Sequence, residues 1–400
     1  MNAKSKLENT ADTAITPWLV AILVVAVTLI APGAWRNQPV ATDSASGTLE
    51  LADVLSADPS GFAVADRARP LHFPADHGPH PDFRSEWWYF TGNLENGSGR
   101  RFGFQLTFFR FALDRESVKQ RRGNSNWLAD QVYMAHFALS DAAGRRFHSF
   151  ERFDREALGL SGATVRPFRV WLEPWEARSE GAAFFPLLLR ARQDDVAVEL
   201  RLDAGKPVVL QGDRGLSRKS ERPGNASHYY SYTRLPAQGS VWVDGEKHSV
   251  TGLAWMDREW STSALDRNQE GWDWFALQLD DGRDVMFYRL RRVGGATDPH
   301  SAGTVVGRKG DAIALGAGDV ILRPLRFWRS PLGGRYPVAW RFRVPGRGLD
   351  LNIDAVFPAQ EHAATLRYWE GAVDVSGTSA GRPVRGRGYA ELTGYAAAKR

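Results

Sequence analysis

The sequence predicts an all-β chain: two consecutive antiparallel β-barrels preceded by an N-terminal hydrophobic helix. Three observations carry this reading. From Glu86 onward, short apolar, aromatic and β-branched runs are broken every few residues by Gly, Asn, Asp or Pro, the pattern of strands joined by tight turns. Asn96-Gly97 and Asp281-Gly282 mark hairpins, because the turns that match strand twist need positive φ. The third is an internal echo. Trp87-Trp88-Tyr89-Phe90-Thr91-Gly92-Asn93-Leu94-Glu95-Asn96-Gly97 aligns without gaps on Trp272-Asp273-Trp274-Phe275-Ala276-Leu277-Gln278-Leu279-Asp280-Asp281-Gly282, with Trp, Phe, Leu and Gly in register. A repeat this long fits a duplicated module.

Taken in order, residues 1–36 read as a signal anchor or a signal peptide. No charge occurs between Asp12 and Arg36, and Trp18 to Ala31 is apolar apart from Thr28, while Pro32-Gly33-Ala34 is a loose cleavage-site match. Residues 37–70, poor in aromatics, read as a tether with one short helix near Leu49 to Leu55. Strands are expected at Glu86 to Leu94, Phe102 to Leu113, Val132 to Ser140, Ala182 to Arg192 and Val196 to Leu202. A first barrel over 71–223 and a second over 224–400 follow, divided at the charged, Gly-punctuated stretch Gly212 to Gly224. Fifteen Trp and 21 Phe exceed what turn-rich barrels need to fold, and point to an apolar ligand cavity.

Composition removes several function classes. With no cysteine there is no disulfide, thiolate metal site, Fe–S cluster or thiol nucleophile. The net charge of +5 is a small excess of 51 basic over 46 acidic residues, and Arg289, Arg291 and Arg292 are interleaved with apolar residues rather than gathered into a stripe, so no nucleic-acid partner is expected. HExxH, GxSxG, Walker and EF-hand patterns are absent, and no cofactor is expected.

Three clusters carry chemistry. His72, His77 and His80 sit in a Pro/Gly loop, where the simpler reading is a loop folded over a barrel mouth, its rings bonded to backbone or carboxylate, and no metal site is assigned. His228-Tyr229-Tyr230-Ser231-Tyr232 joins a proton-transfer residue to several phenols. Asp257-Arg258-Glu259-Trp260 packs two carboxylates, a guanidinium and an indole at the end of the strand-like run Val250 to Trp255. On a strand, Asp257 and Glu259 share one face and Arg258 takes the other. If that shared face meets an apolar interior, desolvation makes a carboxyl a proton donor near neutral pH; the alternative is a structural pair neutralised by Arg258.

The segments HFPADHGPHPDFRSEWWYFTGNL (His72 to Leu94), HYYSYTRLPAQGSV (His228 to Val241), VTGLAWMDREWS (Val250 to Ser261), GWDWFALQLDDG (Gly271 to Gly282), RYWEGAVDVSG and GRGYAELTGY span nearly everything after the tether. Together they resemble the lipocalin-like family of carotenoid 1,2-hydratase and AttH-type proteins, nearest its "predicted secreted hydrolase" branch. The resemblance implies two lipocalin-like barrels with a ligand site at their junction. It places catalytic roles on His228 with Tyr230 and on Trp255 with Asp257, the Asp protonating an isolated C=C bond before water adds. The hydratases carry Trp after the His and Tyr before the Asp, whereas this chain has Tyr230 and Trp255, which puts carotenoid hydration itself in doubt. His77, Glu86, Trp87, Trp88, Tyr229, Glu259, Trp272 and Trp274 are the expected ligand contacts within the matched segments. The expected ligand is an extended apolar or lipid-like molecule. The expected location is the cell envelope, outside the cytoplasm, tied to the membrane by the N-terminal segment or secreted. The rival reading implied by the AttH resemblance is a non-catalytic carrier or accessory subunit of an ABC-type export permease.

Overall fold

Alternating apolar runs with turns between them can bury one face only by pairing edge to edge and curling over it, and that is the architecture of the chain. The computed structural model describes residues 49–50, 60–113, 131–156, 158–263 and 265–396. Residues 48–400 cluster as a single unit. After the two-residue strand β1 (Leu49–Glu50) come β2 (Ser85–Asn96), β3 (Arg101–Ala112), β4 (Gln131–Asp141), β5 (Arg146–Arg155), β6 (Ser161–Val165), β7 (Phe168–Leu172) and β8 (Trp175–Ser179). Then follow β9 (Leu187–Gln193), β10 (Val196–Leu202), β11 (Val209–Leu210), β12 (Leu216–Arg218) and the long hairpin of β13 (Ala226–Val243) with β14 (Glu246–Ser261). These strands, β1 apart, form one 13-stranded sheet in the order β5-β4-β3-β2-β14-β13-β10-β9-β8-β7-β6, with β11 and β12 added on β13.

The second sheet has 11 strands. It is built from β15 (Gln269–Leu279), β16 (Asp284–Arg292), β17 (Ala302–Val306), β18 (Ala312–Gly316), β19 (Ile321–Arg329), β20 (Arg335–Val344), β21 (Leu349–Ala355), β22 (Glu361–Ala363), β23 (Leu366–Ser379) and β24 (Arg382–Leu392). Its order is β18-β17-β16-β15-β24-β23-β21-β20-β19, with β1 and β22 paired to β23. Among the described residues the helical elements are single 3₁₀ turns at Ala75–His77, Ala317–Asp319 and Pro345–Arg347. No helix among them is long and apolar enough to cross a membrane, and the predicted apolar helix within 1–36 lies outside the described residues.

The first sheet curls until its ends nearly meet. Trp88 and Phe90 of β2, Phe137 of β4, Trp175 of β8 and Val198 of β10 belong to one buried core. Phe137 and Trp175, from opposite arms of the sheet, have ring centroids 5.7 Å apart in a T-shaped contact. The Ser161 hydroxyl donates to the Arg155 carbonyl at 3.1 Å, joining the start of β6 to the end of β5 and leaving a nearly closed barrel. The second sheet folds over a separate core that includes Phe275, Trp340, Phe342 and Trp369. A third buried group, with Tyr89, Tyr229 and Trp255 from the first sheet and Trp274, Met286, Tyr288 and Tyr389 from the second, joins the two. The backbones approach closely there. A Cβ at Gly103 would stand 2.7 Å from the Tyr389 hydroxyl and 2.8 Å from Ala372 Cβ.

The two halves of the sequence echo open the two sheets as β2 and β15, each followed by its hairpin partner. Three expectations are corrected. Leu49–Glu50 pairs in parallel with Leu366 and Arg367 as a strand, not as the start of a helix. Of the run 182–192, only Leu187 onward is strand. The stretch 212–224 is not a free connector: Leu216–Arg218 pairs with β13, and the chain changes sheet instead over 262–268. Asp257 to Trp260 stand at the end of a strand, as expected, in the last residues of β14.

Candidate active site

Strand alternation builds the site from the β13–β14 hairpin and β2 beside it. In register, Asp257 stands opposite Ser231 and Tyr89, and Glu259 opposite Tyr229 and Trp87. Directly opposed residues of an antiparallel pair share a face, so these six side chains form one patch. The second sheet covers it with Trp272 and Trp274 from β15, Tyr288 and Leu290 from β16, and Glu391 from β24. Phe109 and Lys219 complete the walls of a narrow cleft between the sheets that is partly open to solvent.

Asp257 is 4% exposed. Its Oδ2 accepts from the Tyr229 hydroxyl at 2.5 Å, and its Oδ1 accepts from the Ser231 hydroxyl at 2.6 Å and the Trp255 indole N–H at 2.7 Å. Burial lifts its pKa to about 7, although all three donors favour the ion, and the nearby Glu259 charge adds to the rise. Glu391, half-buried on the facing sheet, accepts from the Trp272 indole N–H at 2.7 Å. Burial raises it to about 7 as well, against that hydrogen bond, with the charges of Asp257 and Glu259 contributing. Glu259 differs from both. It is ion-paired with Lys219 at 3.2 Å and accepts from the Ser227 hydroxyl. Burial works to discharge Lys219, but Glu259 holds its pKa above the ordinary value. Among the described residues no cation ion-pairs with Asp257 or Glu391.

The opposite face of the same strands is a locked ionic core. Glu86, fully buried, is paired with Arg110 and Arg258, and His80 lies 3.3 Å from it. Burial alone would raise Glu86; the two guanidiniums and His80 instead hold it well below the usual carboxylate range. The Arg258 guanidinium lies over the Trp88 ring at 3.9 Å, and His80 stacks on Trp260 at 3.8 Å. His77 lies 2.6 Å through Nδ1 from the Tyr230 hydroxyl; burial and then Arg258 push its pKa down to about 3. The 72–83 loop thus folds over this end of the barrel, the His77 ring bonded to a phenol and the His80 ring to carboxylates. Among the described residues no group of three or more potential metal ligands is assembled.

Of the expected catalytic residues, Asp257 and Trp255 therefore meet, whereas His228 and Tyr230 point to the locked face. His228 packs against Phe83 and Trp260, and burial lowers its pKa to about 4. Of the expected ligand contacts, Trp87, Tyr229, Glu259, Trp272 and Trp274 line the cleft, while His77, Glu86 and Trp88 lie behind the sheet. Asp257 is not neutralised by Arg258, whose partner is Glu86. Sequence reasoning missed Lys219 and Glu391. Glu391 carried a signal, a lone carboxylate inside the strand-like run Tyr389-Ala390-Glu391-Leu392. Lys219 lay in a stretch read as connector.

A family model described as AttH-like matches residues 64–395. The chain is similar to the crystal structure of an AttH protein from Nitrosomonas europaea, with 35% identity and a TM-score of 0.73, over 84% of this chain and 100% of that one. It is also similar in fold to kievitone hydratase from Nectria haematococca, with 16% identity and a TM-score of 0.64, over 85% of this chain and 97% of that one. CghA shares the fold at 17% identity and a TM-score of 0.51, over 86% of this chain and 97% of that one. A search of curated proteins gives no match.

Proposed function

Because the chain belongs to the AttH-like family, with a carboxylic acid in the aromatic cleft between its sheets, we propose that it binds an extended, uncharged, unsaturated molecule there and that Asp257 protonates it. The reaction class is hydratase-type, addition of water across a C=C bond or its reversal. One observation carries the reading: Asp257 is buried, has no cation partner among the described residues, and is held by three hydrogen bonds on the wall of a cleft lined by Trp87, Tyr89, Trp272 and Trp274. A carboxyl so placed keeps its proton up to about pH 7, near the optimum for a general acid at neutral pH. Protonation leaves a carbocation, which the faces of the indoles and phenols stabilise by quadrupole attraction. Kievitone hydratase shares the fold.

A second reading, a non-catalytic carrier serving an ABC-type export permease, is favoured by one feature. The His228 and Tyr230 pair that the hydratase resemblance calls for faces away from Asp257. Both readings use the same cleft. The charge-free segment 13–35 supports an extracytoplasmic location for it. The test is to extract lipophilic molecules that co-purify with the protein, identify them by mass spectrometry, and return them to it in H₂¹⁸O. The hydratase reading expects a product heavier by one labelled water, formed by the wild type and lost by about two to four orders of magnitude in Asp257→Asn, with binding retained. A ligand that binds and is recovered unchanged overturns that reading and leaves the carrier.

A further inference from the structure

Asp257 accounts for the proton that reaches the substrate, but water addition also releases a proton, and the cleft needs a group to take it. Glu259 is ill suited, since its carboxylate is engaged by the Lys219 ammonium and the Ser227 hydroxyl. Glu391 is placed differently. It sits on β24, opposite Trp274 of β15 and Glu370 of β23, so it belongs to the sheet facing Asp257 across the same cleft. Its side chain is fixed by the Trp272 indole, itself a cleft wall, and among the described residues it has no ion-pair partner.

We infer that Glu391 is the second catalytic residue of this cleft, the base that takes a proton from the attacking water on the face of the alkene opposite Asp257. The inference rests on the proton-donor reading of Asp257. The π electrons of the alkene form a C–H bond to the Asp257 proton, leaving a cation at the neighbouring carbon. A lone pair of water forms the C–O bond, and the O–H electrons stay on oxygen as that proton passes to the Glu391 carboxylate; charge on one carboxyl disfavours charge on the other, so the reactive form of the cleft holds one proton between the two, on Asp257. Proton return from Glu391 to Asp257 through cleft water resets the pair. Flanking the substrate from two sheets, the two carboxyls deliver hydrogen and hydroxyl to opposite faces. The substrate class is a flat, neutral alkene whose cation is stabilised by conjugation, since the walls are largely aromatic and offer an anionic substrate only the already paired Lys219.

The experiment uses the full-length protein and (E)-4-(1-propenyl)phenol, a flat neutral aryl alkene, in D₂O. NMR follows deuterium entering the recovered alkene, formation of the alcohol, and the relative configuration of deuterium and hydroxyl. Glu391→Gln keeps an acceptor for the Trp272 N–H, and near-UV circular dichroism checks its fold. The expected result is anti addition by the wild type. In Glu391→Gln, deuterium still enters the alkene while alcohol formation falls about a hundredfold or more. Glu391→Asp restores part of the alcohol. Alcohol formation unchanged in folded Glu391→Gln, or equal syn and anti products from the wild type, overturns the assignment and leaves Asp257 as donor. Loss of deuterium entry together with alcohol in folded Glu391→Gln also overturns it, by placing Glu391 in the first proton transfer. A wild type that neither exchanges nor hydrates the probe, or an Asp257→Asn variant that still exchanges it, overturns the proton-donor reading and this inference with it.

Discussion

The β13–β14 hairpin and β2 carry two buried carboxyls of opposite character on their two faces. Glu86, on the barrel side, is clamped by Arg110 and Arg258 and is an ion held well below the usual carboxylate range. Asp257, next to Arg258 in sequence, faces the inter-sheet cleft, receives three neutral hydrogen bonds and is lifted by burial to about 7. Both are desolvated; a fixed cation decides the outcome. The locked face shuts one end of the first barrel, and the other face keeps a transferable proton. Strand alternation, which sends successive side chains to opposite faces, lets one hairpin do both.

The contrast breaks most sharply at Glu86. Glu86→Gln leaves two buried guanidiniums uncompensated and is expected to cost about 3–5 kcal/mol in a denaturant titration, whereas Asp257→Asn strips no cation of its partner. A Glu86→Gln variant as stable as the wild type would show the locked face to be no lock.

The pH dependence of stability has opposite sign at the two carboxyls. Between the unfolded value of 3.8 and about 7 the folded protein keeps a proton on Asp257 that the unfolded chain has released. That contribution is therefore fully present below the unfolded value and lost as pH rises to about 7, by roughly 4 kcal/mol in all. Glu86 runs the other way. Its contribution is complete above the unfolded value of 4.5 and is lost as pH falls toward its depressed folded value. Accordingly, Asp257→Asn should melt above the wild type at pH 8 and lose that advantage near pH 4. Melting curves of both proteins across that range check it, and a variant less stable at pH 8 counts against the elevated ionisation.

Smaller changes sharpen the assignment. Tyr229→Phe removes one donor that favours the ionised Asp257, so the alkaline limb of any activity profile should move up by about one pH unit. The smallest effect is expected at His228. Its ring lies on the locked face, so His228→Gln should leave the pH profile in place and cost about 1 kcal/mol of stability. A shifted alkaline limb in His228→Gln would mean that the two faces communicate.

Much of this was legible in the residues and some was not. The echo at Trp87 and Trp272 located the opening strand of both sheets, because turn chemistry and period-2 patterning are local. The opposition of Asp257 and Glu259 to Arg258 follows from the same period. Hidden were the partners of each face, since pairing depends on register between residues far apart in the chain. The matched motifs group His228, Tyr230, Trp255 and Asp257 together, yet register places Tyr229 and Ser231, not their neighbours, beside Asp257. The sheet change at 262–268 was missed because the charge of 212–224 suggested a linker, where Lys219 is buried against Glu259 and Tyr288.

Proton donation in this cleft requires Asp257 to hold a proton at neutral pH. Infrared difference spectra between the wild type and Asp257→Asn, taken through a pH titration and repeated in a Glu391→Gln background, isolate this carboxyl from Glu391, whose own ionisation responds to the Asp257 charge. The predicted result is a protonated-carboxyl C=O band assignable to Asp257 at pH 6 that gives way to carboxylate bands around pH 7. Carboxylate bands for Asp257 already complete at pH 5 would contradict the account.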